Sequence, residues 1–205
     1  IGYSAGFGDG TYACAAGGSL NSTTNAINVI QYVTVATTGN ASDFGDLTSV
    51  LRSHPAGAGD GTKGLVFGGY SSSTVNVIQY VTISSPGNAT DFGDMSYTAY
   101  GVGATNDATY ALNAGGQGAS YYNNIEYVTV STPGNSQDFG DLNTSGPGSN
   151  GFSSATIGVF AGGKIELGGG TQVNNIDYVT IATPGNATDF GNLSTTGAVS
   201  YTHLR

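Results

Sequence analysis

Apolar residues in this chain fall in strand-length clusters, broken at short intervals by glycine, proline and asparagine. Residues 52 to 95 show the fullest example. "RSHPAGAG" (52–59) leads to Asp60-Gly61, a turn dipeptide that tolerates the positive φ of a tight hairpin. "KGLVFGG" follows, an apolar strand closed by Gly68-Gly69, where the lack of a Cβ suits close approach to another backbone. "NVIQYVTIS" then puts Val77, Val81 and Ile83 on one face and Ile78, Tyr80 and Thr82 on the other. Apolar residues on both faces predict a sheet covered on both sides. "SPGN" places Pro86 and Gly87 where a type II turn favours them, and "ATDFGDM" supplies a fourth segment with Phe92 and Met95 inward. No stretch shows helical periodicity.

The same phrase recurs three more times. "NVIQYVTISSPGNATDFGD" from Asn76 is matched by "NVIQYVTVATTGNASDFGD" from Asn28, "NIEYVTVSTPGNSQDFGD" from Asn124 and "NIDYVTIATPGNATDFGN" from Asn175. Tyr32, Tyr80, Tyr127 and Tyr178 are spaced 48, 47 and 51 residues apart. Such a period marks a repeat architecture, in which one supersecondary unit covers its faces with its neighbours. Four antiparallel segments per unit predict an all-β fold, a β-propeller of four-stranded antiparallel blades. The blades span about 1–47, 48–95, 96–142 and 143–194 of one repeat domain, residues 1–198. A β-helix fits less well, because its coils are shorter and lack hairpin turns every ten residues or so.

Composition narrows the partners. Of 205 residues only 8% are charged, 35 are glycine, and the net charge is -9. The apolar fraction of 38%, with 13 tyrosines and 8 phenylalanines, separates the chain from a disordered glycine-rich tract. Four basic residues cannot neutralise a nucleic-acid backbone, so no nucleic-acid partner is expected. No apolar run approaches the roughly 20 residues of a membrane span, so no membrane insertion is expected. The lone Cys14, in the apolar "TYACAAGG", leaves no internal disulfide and reads as a small core residue.

The order Arg52, His54, "DGTKGLVFGG", a tyrosine in the next strand and an aromatic-x-x-apolar end resembles the kelch repeat over about residues 1 to 194. Phe stands where that repeat has Trp, and the leading Arg-x-His occurs only in the second unit. "YVTIATPGNATDFG" is similar to repeats in structural and tail-fibre proteins of marine bacteriophages. These resemblances imply a non-enzymatic binding or structural module of a virion or adhesin, virion-borne or extracellular. Its partner would be a host-cell surface glycan or another virion protein. Kelch propellers usually carry five to seven blades, so the resemblance implies part of a larger ring, a closed ring of four, or self-association through the end blades. Ile1 in place of Met also suggests a fragment, and "VSYTHLR" (199–205) resembles sequencing-adapter read-through from an environmental assembly.

The kelch scaffold also hosts copper oxidases, whose site needs two histidines, tyrosine and a cross-linked cysteine. With only His54 and His203 available, an oxidase-like or carbohydrate-active enzyme is the alternative reading, and neither catalytic residues nor a cofactor are expected. Asp43 with Asp46, Asp91 with Asp94 and Asp138 with Asp141 form oxygen-rich pairs that are weak calcium candidates. A structural role is favoured, with Asp43 and its counterparts capping turns through backbone N–H groups. The units differ most in two loop classes, which kelch topology would bring to one rim. That rim would carry Tyr70, Tyr97, Tyr100, Tyr121, Tyr122, Lys164 and Glu166, a set suited to polar, adaptable recognition or to stacking on sugars. A third reading makes the chain a purely architectural spacer.

Overall fold

The computed structural model describes residues 3–20, 25–51, 53–165 and 171–196, and these contain strands and turns but no helix. Four four-stranded antiparallel sheets follow one another along the chain. The first holds Ala5–Gly8, Tyr12–Ala16, Val29–Thr34 and Ser42–Asp46, and the second Ala56–Gly59, Lys63–Phe67, Val77–Thr82 and Thr90–Asp94. The third holds Gly103–Asn106, Tyr110–Ala114, Asn124–Thr129 and Gln137–Asp141, and the fourth Asn150–Ser153, Ile157–Ala161, Asn175–Thr180 and Thr188–Asn192. Strands are ordered in space as in sequence, and two short ribbons, Ser19–Leu20 with Asn25–Ala26 and Lys164–Ile165 with Thr171–Gln172, extend the loops after the second strands. This is an all-β repeat, compatible with a propeller-like fold.

Local chemistry explains each unit. The first hairpin is set by an Asx turn: Asp60 Oδ1 accepts from the backbone N–H of Thr62 (2.8 Å) and Lys63 (2.7 Å). Asp9 and Asp107 do the same, and Ser154 substitutes in the fourth unit. The paired glycines after the second strand all take positive φ, which sends the chain out of the sheet at a point where a Cβ on Gly68 would meet Ala99 O at 2.6 Å. First strands of consecutive sheets lie side by side, and they are rich in Gly and Ala because a Cβ on Gly57 would overlap the backbone of Gly6.

Sheets are joined face to face, and the joint is built the same way three times. Val66, Val81 and Ile83 of the second sheet pack on Phe44, Leu47 and Ile30 of the first. The opposite face of the second sheet (Leu65, Phe67, Ile78, Phe92, Met95) packs on Val102, Ala111, Val128 and Val130. Phe139 and Leu142 meet Val179 and Ile181 in turn. Polar groups fix the register of each joint. Asp46 N–H donates to Asn88 Oδ1 (3.0 Å) while Ala89 N–H donates to Asp46 O (2.8 Å). Asp94 with Asn135 and Ser136, and Asp141 with Asn186 and Ala187, repeat the clasp. The glycine before each of these aspartates forms a bulge pressed against the next unit's turn, so a Cβ on Gly45 would overlap Gly87. A buried polar residue beside the repeat tyrosine completes the joint: Gln79 accepts from Thr48 N–H (2.6 Å) and Oγ1 (2.7 Å), Glu126 from Ser96, and Asp177 from Asn143.

The cores connect sheet one to two, two to three and three to four, and among the described residues none connects four to one. A closed four-blade ring, one expectation from the sequence, would need sheet four to pack on sheet one, and among the described residues no shared core joins these two sheets. Phe190 and Val35 remain exposed on the two outer faces.

Candidate functional site: an aromatic rim

The loops that lead into the first strands are tied in series at one end of the molecule. Gly101 N–H donates to His54 O (3.0 Å), and Gly148 N–H donates to Gly101 O (2.7 Å). Positions 3, 54, 101 and 148 each lie six residues before the first-hairpin Asp or Ser, and all four adopt positive φ. Units three and four use glycine there, as the conformation favours. Units one and two use Tyr3 (φ 63°) and His54 (φ 48°), the two non-glycine residues with positive φ among those described. Both carry backbone strain that glycine would relieve.

Their rings touch. Tyr3 and His54 have centroids 4.2 Å apart, His54 and Tyr100 6.0 Å, and Tyr100 and Tyr70 6.0 Å edge-on. Backbone pairing places them: Tyr70 N–H donates to Ser53 O (3.1 Å), and Tyr100 and Gln117 exchange two bonds. Tyr100 Oη donates to Gln117 Oε1 (2.6 Å), and Ser53 Oγ bonds His54 Nδ1. Burial, with the nearby Lys164 charge second, holds the His54 pKa below the usual imidazole value, so the ring is neutral at neutral pH. Burial pushes the Tyr100 hydroxyl up, helped by Tyr121 and Tyr70. The result is a strip of half-buried rings, with Tyr3 half exposed at its edge and hydrogen-bonding groups between them. It can offer π-faces and amide or hydroxyl partners to a ligand.

The sequence-derived rim set divides in two. Tyr70 and Tyr100 lie in this strip, Tyr121 acts electrostatically on Tyr100 and pairs in backbone with Gln117, and Lys164 is exposed and acts on His54. Tyr97 and Tyr122 form a separate pair, centroids 4.5 Å apart. Tyr97 Oη donates to Gly115 O (3.1 Å) and accepts from Asn113 Nδ2 (3.4 Å), and burial, then Glu126, pushes its pKa far up. Its hydroxyl is thus spent inside the protein. Glu166 and residues 199–205 lie outside the described residues.

As members of the rim, Tyr3, His54 and Gln117 were missed by reasoning from sequence alone, which weighed His54 as part of a kelch-like phrase and as a copper ligand. For Tyr3 and His54 the available signal was the aligned column itself, which holds aromatic rings in units one and two and glycine in units three and four. Asp43, Asp91 and Asp138 are exposed, and of this column Asp189 makes the expected cap, accepting from Gly191 N–H (3.0 Å), while Asp9, Asp60 and Asp107 cap the first hairpins. Asp46, Asp94 and Asp141 use their backbones in the joints. No three His, Cys, Asp or Glu side chains gather into a metal-binding group among the described residues. Cys14 is buried; desolvation, then Asp9, raises its thiol to about 11, which keeps it protonated.

Fold and rim together define an all-β repeat protein with a strip of aromatic side chains at one end. Comparison with solved structures agrees on the fold: YjhT matches with a TM-score of 0.74 over 95% of this chain and 72% of its own length, at 10% identity. Neither a family model nor a curated protein matches the chain. Likeness of this degree speaks for architecture alone, because one scaffold serves many functions.

Proposed function

We propose that the chain is a non-enzymatic binding module, a kelch-like propeller segment of a virion or adhesin whose aromatic strip holds a surface glycan. The observation that carries this reading is the Tyr3–His54 pair. Two residues occupy backbone positions that their sister units give to glycine, and they do so where their rings meet each other and Tyr100. Strain of order 1–3 kcal/mol per residue persists where it serves a site. Tyr rings beside amide and hydroxyl groups suit the apolar face and the hydroxyl rim of a sugar.

The test pairs stability with binding. Tyr3→Gly combined with His54→Gly should leave the melting temperature unchanged or raise it, while binding on an array of cell-surface glycans is lost. A purely architectural spacer, favoured by hydroxyls such as that of Tyr97 being engaged internally, gives no glycan binding by the unmodified chain. Glycan binding that survives the double variant would remove the strip from the mechanism.

A further inference from the structure

The two outer faces of the molecule carry, exposed, the counterparts of the residues that the three internal joints bury. On the first sheet, Val33 and Val35 are 37% and 58% exposed, whereas their counterparts Val81 and Ile83, Val128 and Val130, and Val179 and Ile181 are all buried by a preceding unit. Gln31 stands where Gln79, Glu126 and Asp177 accept from a preceding unit, and Gly39-Asn40-Ala41 where the other units hold the receiving turn. A concavity of about 100 Å³ lies there, lined by Val33, Thr37, Gly39 and Asn40 among others. On the fourth sheet, Phe190 is 68% exposed where Phe44, Phe92 and Phe139 are buried. Bulge glycine Gly191 has nothing within 4 Å of a Cβ position, whereas Gly45, Gly93 and Gly140 each press on the next turn. Ser194 occupies the place of the donors Thr48, Ser96 and Asn143.

We propose that these faces bind each other between two copies of this chain, head to tail. Phe190 of one copy would cover Val33 and Val35 of the next, and Gly191 would seat at Gly39-Asn40. Asn192 would take the backbone bonds with Asn40 and Ala41, and Ser194 would donate to Gln31. The occupant is chosen by the three internal joints, which display the complement of each open face in full. Such a contact is heterologous, so copies close into a ring or extend as a filament.

Sedimentation velocity over a concentration series, at about 0.15 M salt to screen the net charge of -9, tests this. The unmodified chain should form species larger than a monomer. Val35→Asp and Phe190→Asp should each remain monomeric and keep the unmodified far-UV spectrum, since both side chains are already exposed. Mixed together they should give a one-to-one dimer, because each retains the face the other lacks. Ala41→Pro, at an exposed loop position, should weaken that dimer about tenfold by deleting one donor. The proposal falls if the unmodified chain stays monomeric throughout, if assembly survives either aspartate, or if the mixture fails to pair.

Discussion

Phe92 in the second sheet is 2% exposed, and Phe190, its counterpart in the fourth, is 68% exposed. Both sit in the sequence "TDFG", both make an edge-on contact with the repeat tyrosine, and both belong to strands of the same length. What differs is the presence of a following sheet. The inward position of the phenylalanine is a property of the joint, and the motif alone provides only half of it. In a repeat of this kind stability is divided between what a unit does by itself and what its neighbour adds. The inner sheets show both contributions and the outer sheets show one.

The largest expected effect exploits that contrast directly. Phe92→Ala should cost about 3–5 kcal/mol, the range for deleting a buried phenylalanine. Phe190→Ala, measured on the monomer in the same urea titration, should change stability by about 0.5 kcal/mol or less. Equal losses would mean that the ring contacts within each sheet, and not the joints, hold the fold. A smaller effect is expected for the buried polar position. Glu126→Ala strands the Ser96 and Ser136 groups that donate to it and should cost about 1–3 kcal/mol, whereas Gln31→Ala should cost about 0.5 kcal/mol or less. A comparable cost at both positions would assign the residue to its own sheet instead of to the joint.

The smallest effect lies at the rim. The folded pKa of His54 is lowered, so the unfolded chain takes up a proton at a pH where the folded chain does not. Its contribution to stability is complete above the ordinary imidazole value of about 6.5 and is lost as pH falls through the folded value. Melting temperature should therefore decline as pH falls below about 6.5, and His54→Gly should flatten that slope. An unchanged slope would show that the ring is free to hold its proton in the folded protein.

Much of this architecture is legible in the sequence because its determinants are local. Asp60-Gly61, the double glycines, the two-faced "VIQYVTI" and the inward Phe92 and Met95 each depend on neighbours along the chain, and each is found where the pattern predicts. The rim is legible only in part. Tyr70 and Tyr100 do meet, but the orientation of Tyr97 follows from acceptors at Gly115, which periodicity does not encode. The strained pair escaped notice because Tyr3 and His54 come from different units and are unremarkable until the backbone at both is seen to be left-handed. Gln79, Glu126 and Asp177 were hidden for a related reason: a polar residue within an apolar strand has no local partner, and its donor lies a whole unit earlier.

The clasp between sheets has one further consequence. Asp46, Asp94 and Asp141 donate their N–H to Asn88, Asn135 and Asn186 and accept at their carbonyls from Ala89, Ser136 and Ala187, so the backbone part of the seam is the same in all three joints. Duplication or loss of one whole cassette would keep the backbone clasp at every seam and change only the buried polar pair, which is Thr48 with Gln79, Ser96 with Glu126 or Asn143 with Asp177. Gene length could thus drift by single units with the clasp between sheets retained.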